Sequence, residues 1–290
     1  MHYIIYDLEW NQPPEETAVI TTPVLLEGEI VELGAVKLNE QFQPVDEFRM
    51  FVTPKYYPKM HKRIVSLTGI SDKRLAQEGV SFPEMYEKFT AWCGQEYTLM
   101  TWSMSDLPIL VDNLLAHGMD VSKLPECCDV QRIFSREIMR GNTRYSLDTA
   151  LAILKEKGDT AHDALHDARN TAKVCDHLNL EEYIGEYTAR VFAEPSGNIT
   201  YETRQQLRED PSLRQFICPW CGATVTCEPW VFGVGNTLLG YGLCPQEDEF
   251  LLEVTSSHHP LGGFAAKRLL FEMSDDLWDI YMDKKEPVGV

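Results

Sequence analysis

The chain has 290 residues, 44% of them hydrophobic, which is enough for one sizeable core and a second, smaller unit and excludes a disordered or fibrous polymer. A formal net charge of −19 excludes whole-surface attraction to polyanions, so any grip on nucleic acid must be local. No apolar run reaches the roughly 18 residues a membrane helix needs, and Asp7 interrupts the N-terminus too early for a secretion signal, so a cytoplasmic protein is expected.

In chain order, residues 2–10 read as a buried strand, β-branched and aromatic, that ends in polar residues. Alternation puts Asp7 and Glu9 on one face and Leu8 and Trp10 on the other, which predicts core packing for Trp10. A polar, proline-containing stretch (11–28) leads to a half-buried second strand over 29–38 and a third over 48–52. Helical patterns follow around 61–67 and 82–93, then a short apolar strand over 98–102 and a helix beginning near Ser105, a suitable N-cap.

Residues 132–139, 146–156 and 163–178 carry apolar side chains at helical spacing, and Gly158 marks a helix stop. Strands first and helices interleaved later predict an α/β fold with a sheet of mixed direction. The run 193–198 breaks the pattern and serves as a linker, giving a first domain over 1–180, a connecting helix or linker over 181–200 and a C-terminal domain over 201–290.

Asp7 and Glu9 present two carboxylates side by side, which repel unless a cation lies between them. Hard divalent ions such as Mg²⁺ or Mn²⁺ take oxygen ligands, and a pair about 3.5–4 Å apart can clamp the attacking and leaving oxygens of a phosphodiester. Downstream, His162 stands just before a helix and Asp167 on its first turns, with Ala164 and Ala168 leaving room for close packing. An imidazole with a pKa near ~6.5 suits a general base, and His166 competes with His162 for that role. Asp106, after the strand over 98–102, supplies a fourth acid.

Asp7-Leu8-Glu9 on the first strand, Asp106 after a later strand and His162-x₄-Asp167 at a helix start together resemble the three exonuclease motifs of the DEDDh superfamily, the RNase T/DnaQ-like enzymes. Residues 30–36 resemble that family's second strand and 67–70 its substrate-side loop, so the resemblance covers roughly residues 2–180. The segments Asp7 to Trp10 and Trp102 to Asp106 are most similar to the Eri-like branch, which trims 3′ ends of RNA, although Ser103 stands where glycine is commoner.

The resemblance implies an RNase H-like mixed sheet with flanking helices and 3′→5′ release of nucleoside 5′-monophosphates from single-stranded RNA or DNA, with two Mg²⁺ or Mn²⁺ per active site. It implies that Asp7, Glu9 and Asp167 bind one ion, that Asp7 also holds the second with Asp106 supporting it through water, and that His162 activates the nucleophile. Two other readings stay open: a phosphodiesterase for very short oligonucleotides, and a non-catalytic adaptor that binds nucleic acid or protein.

Candidate substrate contacts are Leu8, Trp10, Leu67, Thr68, Trp102, Arg132 and Arg136. Arg132, Arg136, Arg140 and Arg144 recur every four residues and would form one basic stripe on a continuous helix, although Gly141 and Asn142 end the helix before Arg144. Lys55, Lys59, Lys62 and Arg63 form a second basic cluster.

Of the eight cysteines, Cys93, Cys127, Cys128 and Cys175 are scattered, whereas Cys218, Cys221, Cys227 and Cys244 crowd into one segment. Cys218-Pro219-Trp220-Cys221-Gly222 has the spacing of a zinc knuckle. The second turn, Cys244-Pro245-Gln246-Glu247, has one cysteine where a ribbon has two, which leaves Cys227, Glu247, His258 or His259 as the fourth ligand. A small zinc-ribbon-like α+β unit with one structural Zn²⁺ is expected, against a ribbon that has lost its metal; its acidic surroundings favour a stabilising or protein-partner role.

Overall fold

Ten residues of extended backbone, His2–Asn11, form β1, whose alternate side chains Ile5, Asp7 and Glu9 leave one face. In this computed structural model residues 1–15, 18–194, 200–233, 237–260 and 262–285 are described. β1 pairs antiparallel with β2 (Glu29–Leu38), placing Asp7 opposite Gly34 and Glu9 opposite Glu32. β2 pairs antiparallel in turn with β3 (Pro44–Phe51). β3 begins four residues earlier than the sequence pattern predicts, because the tight turn 39–43, with Phe42 in the left-handed region, brings Pro44 opposite Leu38 across a one-residue register shift.

Three short helices follow: α1 (Lys62–Thr68), α2 (Asp72–Glu78) and α3 (Phe82–Cys93). β4 (Tyr97–Thr101) pairs parallel with β1 on the side away from β2 and leads into α4 (Asp106–Ala116). β5 (Cys127–Asp129) is parallel to β4 and runs into α5 (Val130–Glu137), α6 (Leu147–Leu154), α7 (Ala164–Cys175) and α8 (Leu180–Tyr183). With the short β6 (Thr188–Ala189) at the edge, the strand order is β3-β2-β1-β4-β5-β6, a mixed sheet flanked by helices.

Ile5, Val36 and Met100 from the sheet pack against Ile133 and Phe134 of α5, Leu151 of α6 and Ala168 and Val174 of α7. Each of these side chains except Ala168 contributes about 1.5–3 kcal/mol on burial. A smaller cluster sets Val31 and Phe51 against Ile64 of α1 and Leu75 of α2.

The chain divides into two compact units, one of residues 1–15, 26–119 and 125–188, the other of 16–25, 120–124 and 189–290. In the second, β7 (Val191–Glu194), β8 (Thr200–Tyr201) and α9 (Arg204–Glu209) precede a hairpin of β9 (Gln215–Ile217) and β10 (Thr224–Thr226). β11 (Val231–Phe232), β12 (Thr237–Leu243), β13 (Glu249–His258) and β14 (Phe264–Glu272) then form an antiparallel sheet, closed in sequence by α10 (Asp275–Lys285). Both β7 and β8 pair with β14. Phe216, Phe250, Leu252 and Leu270 make this unit's core.

Of the sequence-derived linker 193–198, residues 195–198 lie outside the described residues, and the backbone at 193–194 belongs to β7. Among the described residues no helix is long and apolar enough to cross a membrane.

Candidate active site

A cleft of about 430 Å³ opens where β1 ends, lined by Asp7, Glu9, Asp106, His162 and Asp167. β1 supplies the first two carboxylates, the β4 to α4 junction the third, and the start of α7 the others. Glu9 and Asp106 are buried, Asp7 and Asp167 half-buried and His162 exposed. Among the described residues Glu9, His162 and Asp167 bring ligand atoms within 4.8 Å of one another, so the tightest trio contains the imidazole rather than Asp7.

Gly34 seats the start of α7. A Cβ there would lie 2.1 Å from the backbone nitrogen of Leu165 and 2.2 Å from the carbonyl carbon of Ala164, so only glycine allows the helix to rest on β2 at this point. Ala164 and Ala168 are fully buried, as their small size anticipates. Asp163 caps α7, accepting from the backbone N–H of His166 at 3.1 Å.

His162 takes a left-handed backbone conformation (φ 63°), a strained position that histidine tolerates better than most residues. Its amide donates to Asp167 Oδ2 at 2.9 Å. His166 points elsewhere: its Nδ1 lies 3.8 Å from Asp163, and it does not line the cleft.

Five carboxylates line the cleft, Asp148 beside the four already named, and they disfavour one another's ionisation. Burial, then Asp106, Asp167, Glu9 and Glu32, pushes the Asp7 carboxyl well above the usual range. Glu9 is pushed up to about 8, first by burial and then by Asp167 and Glu32. Asp106 rises to about 7 through burial, opposed by hydrogen bonds from the Thr101 hydroxyl (3.1 Å) and the Leu8 amide. Asp167 is raised by burial and held back by the His162 amide.

Arg49 supplies a counter-charge behind the site. Its Nε lies 2.6 Å from Glu32 Oε1, and its Nη2 donates to Asp163 Oδ2 at 2.5 Å, so one guanidinium ties β2 to the cap of α7. Nothing in the primary pattern pairs Arg49 with Glu32 and Asp163, so its role is legible only in the fold.

The walls depart from expectation in several places. The β1–β2 register shifts between Glu9 and Trp10, and Trp10 lines the cleft with the carboxylates instead of being committed to the core. Leu8, Leu67 and Trp102 also line it, Trp102 being mostly buried with its indole N–H donating to Tyr145 O at 3.1 Å. Thr68 does not; its hydroxyl is engaged by Ile64 O and the Ile70 amide.

The expected arginine stripe does not form. α5 stops at Glu137, Arg132 is buried, Arg140 is left-handed and Arg144 pairs with Asp129 at 3.1 Å, so neither Arg132 nor the exposed Arg136 reaches the cleft. Arg63 does reach it, from α1, as the one Lys or Arg among the lining residues. Ser105 holds the N-cap position of α4 without a side-chain cap bond, its backbone already helical.

In the second unit, the sulfurs of Cys218, Cys221 and Cys244 lie within 4.8 Å of one another. Cys227, expected among them, stands apart at the base of the β9–β10 hairpin, where its amide donates to Arg214 O at 2.8 Å.

Residues 15–175 match the family model of the RNase T exonucleases, a match that begins after Asp7 and Glu9. A probable 3′-5′ exonuclease of Bacillus subtilis (strain 168), KapD, is 27% identical over 173 residues, covering 59% of this chain and 81% of its own. The nuclease domain of 3′hExo, a DEDDh family member bound to rAMP, superposes with a TM-score of 0.52 at 21% identity, over 62% of this chain and 92% of that one. E. coli exonuclease I with a dA16 oligonucleotide gives 0.52 at 11% identity, over 83% and 54%. The two structures share this chain's fold.

Proposed function

The chain belongs to the RNase T exonuclease family and is a 3′→5′ exonuclease, and from that premise we propose that it trims single-stranded RNA in preference to DNA, releasing nucleoside 5′-monophosphates. The observation that carries this reading is the convergence of Asp7, Glu9, Asp106, Asp167 and His162 in one cleft that Trp10, Leu67 and Trp102 also line. RNA is favoured by the Eri-like character of Asp7 to Trp10 and Trp102 to Asp106.

Asp7, Glu9, Asp106 and Asp167 are an oxygen-rich donor set that suits two Mg²⁺ or Mn²⁺ ions, and their raised pKa values reflect burial first and neighbouring carboxylates second, both of which a cation would offset. When bound, the ions supply charge stabilisation for in-line displacement at phosphorus. His162 removes the proton of the attacking water at a ring nitrogen, its loop held by Asp167. Trp10, Leu67 and Trp102 flank the terminal nucleoside, and Arg63 offers the local positive charge that a phosphate needs.

On this reading the unit that runs to Thr188 carries the reaction, and residues 189–290 hold a zinc-ribbon-like domain with a stabilising or protein-contact role. Its three converging sulfurs support one structural Zn²⁺. Eight cysteines, none in a disulfide, favour the reducing cytoplasm.

The test is a pair of 5′-labelled strands of one sequence, RNA and DNA, incubated with Mg²⁺, with Mn²⁺ and with EDTA, the products being separated by chromatography. Stepwise shortening that favours RNA, 5′-mononucleotide products and no activity in EDTA are expected. Undiminished cleavage in EDTA would sink the metal mechanism, and faster DNA cleavage would overturn the RNA preference.

A further inference from the structure

Two turns bring the three sulfurs together, and they are built alike. In the first, between β9 and β10, the Cys218 amide donates to Ala223 O, the Gly222 amide to Cys218 O (both 2.9 Å) and the Cys221 amide to Cys218 Sγ at 3.5 Å. In the second, between β12 and β13, the Cys244 amide donates to Asp248 O (3.0 Å), the Glu247 amide to Cys244 O (2.9 Å) and the Gln246 amide to Cys244 Sγ at 3.3 Å. Gly222 (φ 71°) and Glu247 (φ 67°) hold the matching left-handed position. The second turn is one residue shorter, and Gln246 stands where the first has Cys221.

The fourth donor must therefore come from elsewhere, and the fold removes most candidates. His258 ends β13, nine residues beyond its first residue Glu249, which at about 3.3 Å per residue is roughly 30 Å from the turn. His259 is farther still. Cys227 packs beside Gly240, in the middle of β12, where a Cβ on Gly240 would lie 3.3 Å from its sulfur. Glu247 is exposed. Asp248 is half-buried, and its Oδ2 already accepts from Cys244 Sγ at 3.0 Å.

We propose that Cys218, Cys221, Cys244 and Asp248 form a three-thiolate, one-carboxylate zinc site. The Asp248 carboxylate touches Cys244 but lies outside the 4.8 Å group of the three sulfurs, and it turns onto the ion as Cys244 loses its proton. The proposal rests on the reading that the three-sulfur cluster holds zinc, and adds the identity of the fourth ligand. Binding removes the thiol protons, three in all, and with them the hydrogen bond that Cys244 gives to Asp248. A thiolate and a carboxylate at that spacing repel each other unless both face one cation. Zinc, with bonds of about 2.3 Å to sulfur and 2.0–2.2 Å to a carboxylate oxygen, accepts such a mixed set. The amides of Cys221 and Gln246, already directed at Cys218 and Cys244, stabilise the thiolates so formed.

The test uses the full chain. Zinc content is measured on the purified protein, and cobalt(II) is then exchanged in, because thiolate-to-cobalt absorption reports sulfur ligands and is silent for the carboxylates of the cleft. The expected result is one zinc per chain and a three-thiolate cobalt spectrum. Asp248→Cys should raise the thiolate band by about a third and shift the ligand-field bands to longer wavelength. Asp248→Asn should weaken zinc affinity at least about tenfold in competition with a chromogenic chelator, and Cys227→Ser should leave affinity unchanged. Circular dichroism checks that each variant folds. Absence of both bound zinc and thiolate absorption in the parent chain overturns the three-sulfur reading itself. A three-thiolate spectrum with affinity untouched in Asp248→Asn overturns the role of Asp248 alone.

Discussion

The carboxylate of Asp167 accepts a hydrogen bond from the backbone amide of His162 at 2.9 Å, so one side chain faces the cleft and also fixes the loop that carries the imidazole. Because His162 is left-handed, the informative substitution is one that tolerates that backbone. His162→Asn should fold with an unchanged melting temperature and lose ~10²–10⁴-fold in kcat, the usual contribution of a general base. Asp7→Asn should be inactive and folded. Full activity in either variant would refute its assigned role.

Acidity offers a second test. Glu9 is pushed up to about 8 and Asp106 to about 7, chiefly by burial, against unfolded values near ~4. A carboxyl whose pKa is raised by folding favours the folded state in its protonated form. That contribution is complete below about pH 4 and is lost as the pH rises through about 7 to 8. In EDTA the melting temperature should therefore fall between pH 5.5 and about pH 8.5. Mn²⁺ should restore it most at the alkaline end. Glu9→Gln should flatten the EDTA profile while abolishing activity, and a profile identical to the parent's would contradict the assignment.

Arg49 is a positioning residue on this account, since it touches Glu32 and Asp163 but does not line the cleft. Arg49→Met leaves Glu32 buried without its counter-charge, which typically costs about 3–5 kcal/mol. The double variant Glu32→Gln, Arg49→Met should recover much of that stability in urea melts. It should nonetheless retain a lowered kcat with little change in KM, because α7 has lost its tie to β2. Parent-like kcat in the double variant would show that the link is purely structural.

At Gly34 even one methyl group is too many. Gly34→Ala drives a Cβ into the Ala164–Leu165 backbone, and overpacking of this kind costs typically 1–3 kcal/mol. A shift of α7 by about 1 Å would also cost on the order of 10²-fold in rate. Urea denaturation and single-turnover assays together would detect both effects, and a neutral outcome in both would mean that the helix seat is softer than the contact distances imply.

For substrate grip, Arg63→Ala should raise KM several-fold with kcat nearly unchanged and should flatten the dependence of KM on salt, as expected for one lost phosphate contact. The effect should be smaller on a dinucleotide than on a long strand if the contact lies upstream of the terminal phosphate. An unaltered salt dependence would remove Arg63 from the interface.

Much of the sheet was legible in the sequence, and so were four of the cleft residues, which lie in short segments with a strong local period or motif: Asp7-x-Glu9 on an apolar strand, His162-x₄-Asp167 at a capped helix. Asp106 rests on its place after a later strand and on the family pattern, and Asp148, which also lines the cleft, carries no local signal. Trp10 is among the candidate substrate contacts, yet alternation alone points it to the core, since the register shift after Glu9 depends on the partner strand β2. β5 has only three residues, too few for a period to show, and α2 is barely two turns long. The arginine series misled because four-residue spacing means one face only while a helix continues, and α5 ends at Glu137. Arg63 was legible as part of a basic cluster, but its selection over Lys55, Lys59 and Lys62 depends on the direction of α1.

β1 is hydrogen-bonded on both sides over residues 2–5, to β2 and to β4, and to β2 alone at Asp7 and Glu9. Amides in such a strand exchange with solvent mainly through global opening, whereas exposed segments such as the end of α1 open locally at far lower cost. The two N-terminal carboxylates sit just past the doubly paired stretch, still laddered to β2 opposite Gly34 and Glu32, on backbone that should fray later than α1. Moderate heat or denaturant would first loosen the Arg63 and Leu67 side of the cleft, eroding affinity for the strand while the acidic half stays assembled.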